Sequence, residues 1–172
     1  MIDDTNFDIQ DKKATIKQPL GTGSATYNNP NNKIIVVVDY EHFLNQQPND
    51  VIKALDLKKC DFIVYSLDGN SFFILNELSL SSSSKNKIND ARKQLHNALL
   101  HLSNTTAIKS FIDSFVDKKC VFSNKTKTIE TPEDIAGSFD IIKSYLSEPI
   151  VHGFQPIEKL NFKLIETAII DV

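Results

Sequence analysis

The chain has 172 residues, 41% hydrophobic and 24% charged, with a formal net charge of −3 and a pI near 5.8. That length suits one domain, residues 1–172, with a real core, and the composition excludes a disordered or fibrous chain. No apolar run approaches the roughly 18 residues of a membrane helix and no basic, then apolar, leader is present, so the expectation is a cytoplasmic protein with no membrane contact.

The negative balance argues against a constitutive nucleic-acid binder, which usually carries a basic stripe. Lysines do cluster locally, at Lys12-Lys13, Lys58-Lys59, Lys85/Lys87, Lys118-Lys119 and Lys125/Lys127. If several line one groove, nucleic acid stays open as a partner. Otherwise they are ordinary solubilising charges.

Residues 1–20 begin polar and acidic and are expected to fray or to form a short edge element. Gly21-Thr22-Gly23-Ser24 lacks both the lysine and the strand-to-helix context of a phosphate loop, and reads as a turn. Residues 27–32 are dense turn chemistry, and residues 33–38, KIIVVV, are a strand. A hairpin pairing residues 24–27 with 34–38 is the expectation. Asp39-Tyr40-Glu41-His42 follows directly. His42 beside two acids could ligate a metal, although a lone histidine is more often a surface or packing residue. Residues 50–57 suit one or two helical turns.

Two cysteines, Cys60 and Cys120, each follow a Lys-Lys pair and open a predicted strand. They are too few for a disulfide framework and read as buried free thiols in a reducing compartment.

Residues 61–66 alternate and are rich in Phe, Ile, Val and Tyr, as in a half-buried strand. Asp68-Gly69 tolerates the positive φ angles of a short turn, and residues 71–78 return as an apolar strand. Folding this hairpin brings Asp61 and Glu77, 16 positions apart, to the same end. A bulge near Gly69 would change which face each occupies. Neighbouring carboxylates repel, and the usual remedies are a divalent cation, a shared proton or a nearby amine. Taken alone, acids at strand ends are commonly just solvated edge residues.

Ser81–Ser84 offers N-cap hydroxyls for a helix whose Ile88, Ala91, Leu95, Ala98, Leu99 and Leu102 share one face. Lys87, Gln94 and His101 fall together on a flank of that face.

Cys60-Asp61-Phe62, then residues 73–79 (FILNELS), then Ala91-Arg92-Lys93-Gln94-Leu95 resemble the restriction-endonuclease-like superfamily, the PD-(D/E)XK nucleases. The likeness spans about 45 of 172 residues. It implies a restriction-endonuclease-like α/β core in which Asp61, Glu77 and the carbonyl of Leu78 bind magnesium or manganese. It further implies that Glu41, with Asp39 second, adds an acid from the preceding element, and that Gln94 assists from the helix. The family's lysine, which positions water and stabilises developing charge, is replaced here by Ser79, whose hydroxyl carries no charge. Lys87 is the best substitute, with Lys85 and Lys93 behind it, although a helix-start lysine is more often simply solvated.

Ser103-Asn104-Thr105 breaks the long helix, and Ile108, Phe111, Ile112 and Phe115 predict a second over residues 105–117. Residues 120–123 form a short strand that joins the hairpin's sheet by a crossover. Residues 124–128 are a polar turn. Thr131-Pro132-Glu133-Asp134 is a helix start with a hydroxyl cap, proline at N1 and acids in the first turn. Ile135, Phe139, Ile142 and Leu146 would be its buried face. Residues 149–156, containing His152-Gly153-Phe154, read as a turn, and residues 161–170 as a final strand.

The expected architecture is one mixed sheet flanked by helices. Two functions fit it. One is a metal-dependent nuclease cleaving phosphodiester bonds in DNA or RNA. The other is a catalytically inactive member of the same fold, serving as a subunit or interaction module with a protein partner. A homodimer is compatible with either.

Overall fold

A computed structural model describes residues 7–10, 13–17, 24–46, 59–79, 85–123, 149–167 and 169–172. Ten strands and four helices are present among them. The strands are β1 (Phe7–Gln10), β2 (Lys13–Lys17), β3 (Ser24–Asn28), β4 (Ile35–Asp39), β5 (Phe62–Ser66), β6 (Phe72–Leu78), β7 (Asp117–Ser123), β8 (Ile150–His152), β9 (Lys163–Glu166) and β10 (Ile169–Asp171). The helices are α1 (Tyr40–Asn45), α2 (Lys85–Ser103), α3 (Thr106–Asp113) and α4 (Gln155–Glu158).

The central mixed sheet has the order β1-β4-β5-β6-β7-β9-β8, six strands extended at one edge by β1. β4, β5 and β6 are antiparallel neighbours, whereas β6, β7 and β9 run parallel. This is the expected α/β fold: a mixed central sheet packed against helices.

Strand alternation divides the core into two layers. Val36, Val38, Ile63, Phe73, Leu75 and Cys120 face one way and pack under Leu95, Ala98, Leu99 and Leu102 of α2 and Ile112 of α3. Ile35, Val37, Phe62, Val64, Phe72, Ile74 and Val121 face the other way, against Ala25, Tyr27 and Ile170. α2 therefore buries the stripe that its sequence period marks. Aromatic rings pack against one another below α3: Tyr65–Phe111 and Phe73–Phe115 centroids are each 5.4 Å apart.

Several expectations need correction. β3 does not pair with β4. It lies between β10 and β2 in a separate three-stranded sheet, while both edges of β4 are taken by β1 and β5. The turn at residues 27–32 instead stacks the two strands face to face, with Ala25 and Tyr27 on Ile35 and Val37. The helices thus cover one face of the central sheet and a small sheet covers part of the other.

The final strand is split. β9 joins the central sheet and β10 the small one, so one alternating run serves two layers. The region around His152 is the edge strand β8 followed by α4, rather than a turn. The second helix ends at Asp113, because Asp117 already begins β7. Positive φ falls on Gly69 (66°) and Asn70 (46°), one position later than Asp68-Gly69 suggests. The side chain of Ser66 closes that loop by accepting from the N–H groups of Ser71 and Phe72 at 2.8 and 3.2 Å. The expected helices at 50–57 and from 131, the turn at 124–128, the Gly21–Gly23 turn and the Ser81–Ser84 cap lie outside the described residues.

Candidate functional site

β5 and β6 pair without interruption from Phe62 opposite Asn76 to Tyr65 opposite Phe73. One further step in that register sets Asp61 across from Glu77. Directly opposed residues share a face, here the helix-covered face of Ile63 and Leu75. Asp61 is 6% exposed and Glu77 8% exposed. The hairpin therefore buries two carboxylates side by side.

Each is held by a different set of donors. Oδ2 of Asp61 accepts the main-chain N–H of Leu78 at 2.6 Å. The carbonyl of Asp61 accepts from the N–H groups of Tyr40 and Glu41 at 3.0 and 3.2 Å, tying the first turn of α1 to the strand end. The carboxylate of Glu77 is hydrogen-bonded by the Gln94 side chain and the Asp61 main chain. Gln94 also donates to the carbonyl of Lys59 at 3.1 Å. One oxygen of Glu77, Oε2, is buried and has no hydrogen-bond partner.

The electrostatics follow from this geometry. Burial pushes the Glu77 carboxyl up to about 9, and the negative charges of Asp61 and then Glu41 push the same way. The two hydrogen bonds oppose that shift without cancelling it. Without a cation nearby, Glu77 therefore holds a proton at neutral pH. The adjacent Cys60 thiol is also raised, first by burial and then by the charges of Glu77 and Asp61. The phenol of Tyr40 is raised by burial and by Cys60, and its hydroxyl is another buried group without a partner.

The strand end thus unites four of the residues expected from the sequence: Asp61, Glu77, Gln94 and Glu41. Glu41 is exposed in the first turn of α1, yet its charge reaches Glu77. Lys87 lies exposed near the start of α2. Leu78 contributes its N–H to Asp61, while its side chain is buried in the opposite layer. Ser79 is half-buried, and its N–H donates to the carbonyl of Ser123 at 2.7 Å.

Asp39 has a structural task as the N-cap of α1, its Oδ1 accepting the N–H of His42 at 2.8 Å. His42 is exposed, with Nε2 3.1 Å from Gln46 Nε2. Among the described lysines, Lys118 pairs with Asp113 at 3.7 Å and Lys119 with Asp117 at 2.7 Å. Lys59 bonds Asn45.

A third buried acid is not foreseen from the sequence. Glu77 pairs with Phe122, which pairs with Glu166, so Glu166 falls in the same row at the carboxyl ends of the parallel strands. It is 7% exposed, and its Oε2 lies 2.8 Å from Nε2 of His152 on β8. The one signal was a charge standing where alternation from Phe162 and Leu164 calls for an apolar side chain. Ligand sites in open α/β sheets gather at this edge of the strands.

Among the described residues, no group of three or more His, Cys, Asp or Glu is arranged to hold a metal ion. The donor set is a carboxylate pair with neighbouring main-chain groups. That set suits magnesium, which keeps most of its waters and commonly uses one or two protein carboxylates. Among the described residues, no helix is long and apolar enough to cross a membrane. Comparison with known protein families, curated protein sequences and solved structures finds no match for this chain.

Proposed function

We propose that this chain is a metal-dependent phosphodiesterase of the PD-(D/E)XK kind, acting on nucleic acid. The observation that carries this proposal is Glu77: a nearly sealed carboxylate opposite Asp61, with like charges around it and one oxygen unpartnered. A buried acid in that setting is unfavourable unless it keeps a proton or meets a cation. Asp61 and Glu77 would hold magnesium or manganese, with the carbonyl of Leu78 as the further donor that the resemblance implies. Such an ion polarises a phosphoryl oxygen and lowers the pKa of a bound water. Gln94, anchored on Lys59, fixes the orientation of Glu77. Glu41 adds negative charge that favours a cation in the pair.

Calorimetric titration with magnesium and manganese tests the proposal. Saturable binding to the natural chain, lost in the Asp61→Ala/Glu77→Ala double variant, supports it; equal heats from both proteins would remove the site. A nuclease assay on plasmid and single-stranded substrates then tests the chemistry, with Glu77→Ala as the control.

Ser79 favours a second reading. It stands where the family's lysine would supply positive charge, and among the described residues the charges acting on Glu77, those of Asp61 and Glu41, are both negative. A chain that binds metal yet fails to cleave any substrate fits an inactive member of the fold, acting as a subunit or interaction module.

A further inference from the structure

The helix-covered face has a second feature at its opposite end. Between β4, β5 and β6 on one side and α2 and α3 on the other lies a cavity of about 400 Å³. Val38, Ile63 and Phe73, all 4% exposed or less, form its depth, while Leu67 (56%), Ile108 (38%) and Phe111 (43%) stand at its mouth. Among the described residues, no lining side chain is charged, and the hydroxyl of Tyr65 is the one polar side-chain group in the wall.

These walls constrain the occupant. An ion would lose its hydration there and meet no counter-charge, which excludes nucleotides, phosphates and carboxylates in the depth of the cavity. The volume falls within the range of small-molecule pockets, roughly 300–1,000 Å³. An apolar cavity of about 150 Å³ already admits benzene, so one side chain from a protein partner would leave most of this space unfilled. Packed interiors seldom keep a void of that size. The mouth at Leu67 opens at the hairpin-loop end.

We propose that this cavity is a binding site for an uncharged, largely apolar small molecule of aromatic or acyl character. Aromatic edges and faces from Tyr65, Phe73 and Phe111 suit a ring or a chain equally. The site is independent of the carboxylate pair and does not rest on the nuclease proposal.

The experiment is a fluorescence titration of the whole chain with the uncharged probe N-phenyl-1-naphthylamine. Ile108→Trp fills the mouth, Leu67→Trp fills it from the loop, and Val116→Trp is the control, since Val116 is 87% exposed and outside the lining. Circular dichroism establishes which variants fold. The expected result is saturable binding at one site, weakened at least tenfold in whichever filling variant folds and unchanged in Val116→Trp. Non-saturating fluorescence, or equal affinity in the filling and control variants, would overturn the proposal. So would loss of the probe site as the chain self-associates in light scattering, because a second copy would then be the occupant.

Discussion

Glu77 and Glu166 sit in the same row at the carboxyl ends of parallel strands, with β7 between them. Both are almost sealed from solvent, at 8% and 7% exposure. Their described partners differ in sign. Glu166 faces the imidazole of His152 at 2.8 Å, whereas Glu77 faces the negative charges of Asp61 and Glu41 and keeps one oxygen without a partner. Burial alone therefore does not give a carboxylate its meaning. An acid with a matched partner locks the edge strand β8 onto β9; an acid among its own kind stores an unfavourable interaction that a proton or cation can relieve.

The strongest way to break that comparison is to truncate the matched acid. Glu166→Ala leaves the His152 ring without this hydrogen-bond partner and should cost up to about 3 kcal/mol in urea unfolding at neutral pH. Glu77→Gln, replacing an already protonated group, should cost far less under the same conditions. Equal losses would mean that the two acids play one structural role.

A cation should separate them in the opposite direction. At a hundredfold excess over its Kd, magnesium or manganese should add about 2.7 kcal/mol to the stability of the natural chain. The Asp61→Ala/Glu77→Ala variant should gain nothing, and a Glu166→Gln variant should retain the full increment. Thermal melts with and without the ion provide the measurement.

The third difference is in pH. The folded carboxyl of Glu77 titrates near 9 and the ordinary group near 4.5. Between those values the folded chain binds a proton that the unfolded chain has released. Stability is therefore lost as pH rises through that window, by up to about 1.4 kcal/mol per pH unit for this one group. Glu77→Gln cannot ionise and should flatten the profile, and added magnesium should flatten it too. A natural chain whose urea midpoint does not fall between about pH 6 and 9 would contradict the stored repulsion.

The carboxylate pair was legible because a hairpin's register depends on local residues. The alternation of 61–66, the loop glycine and the apolar return place Asp61 and Glu77 at one end. Their shared face required the actual loop, whose five residues from Leu67 to Ser71 keep the two strands in step. Helical period put Gln94 on one flank with Lys87 and His101, and the nuclease resemblance singled it out. The pairing of β4 was not legible, since sequence proximity to β3 favoured a hairpin while the edge of β4 was claimed by β5 across a long connection. His152 and Glu166 meet through β8 and β9, a pairing that no local period announces. The small sheet was hidden for the same reason: β10 pairs with β3 from the far end of the chain.

The smallest predicted effect concerns the two acids of the Asp39–His42 stretch, which the sequence treats alike and the structure divides. Asp39 caps α1 through the N–H of His42, so Asp39→Ala should cost about 1 kcal/mol of stability and leave metal affinity unchanged. Glu41 is exposed and makes its contribution through its charge on Glu77. Glu41→Gln should therefore leave stability near neutral pH almost unaltered while ending the alkaline fall in stability at a lower pH, with a smaller total loss. The direction follows from the sign: with Glu41 neutral, repulsion no longer adds to burial, so the Glu77 carboxyl titrates lower and the window over which stability is lost narrows from its upper side. At a fixed pH near 9 the variant is then past its loss, and a melt taken there should lie above that of the natural chain. A Glu41→Gln melt at that pH that coincides with the natural one would remove Glu41 from the site, leaving Asp61 as the one acid acting on Glu77.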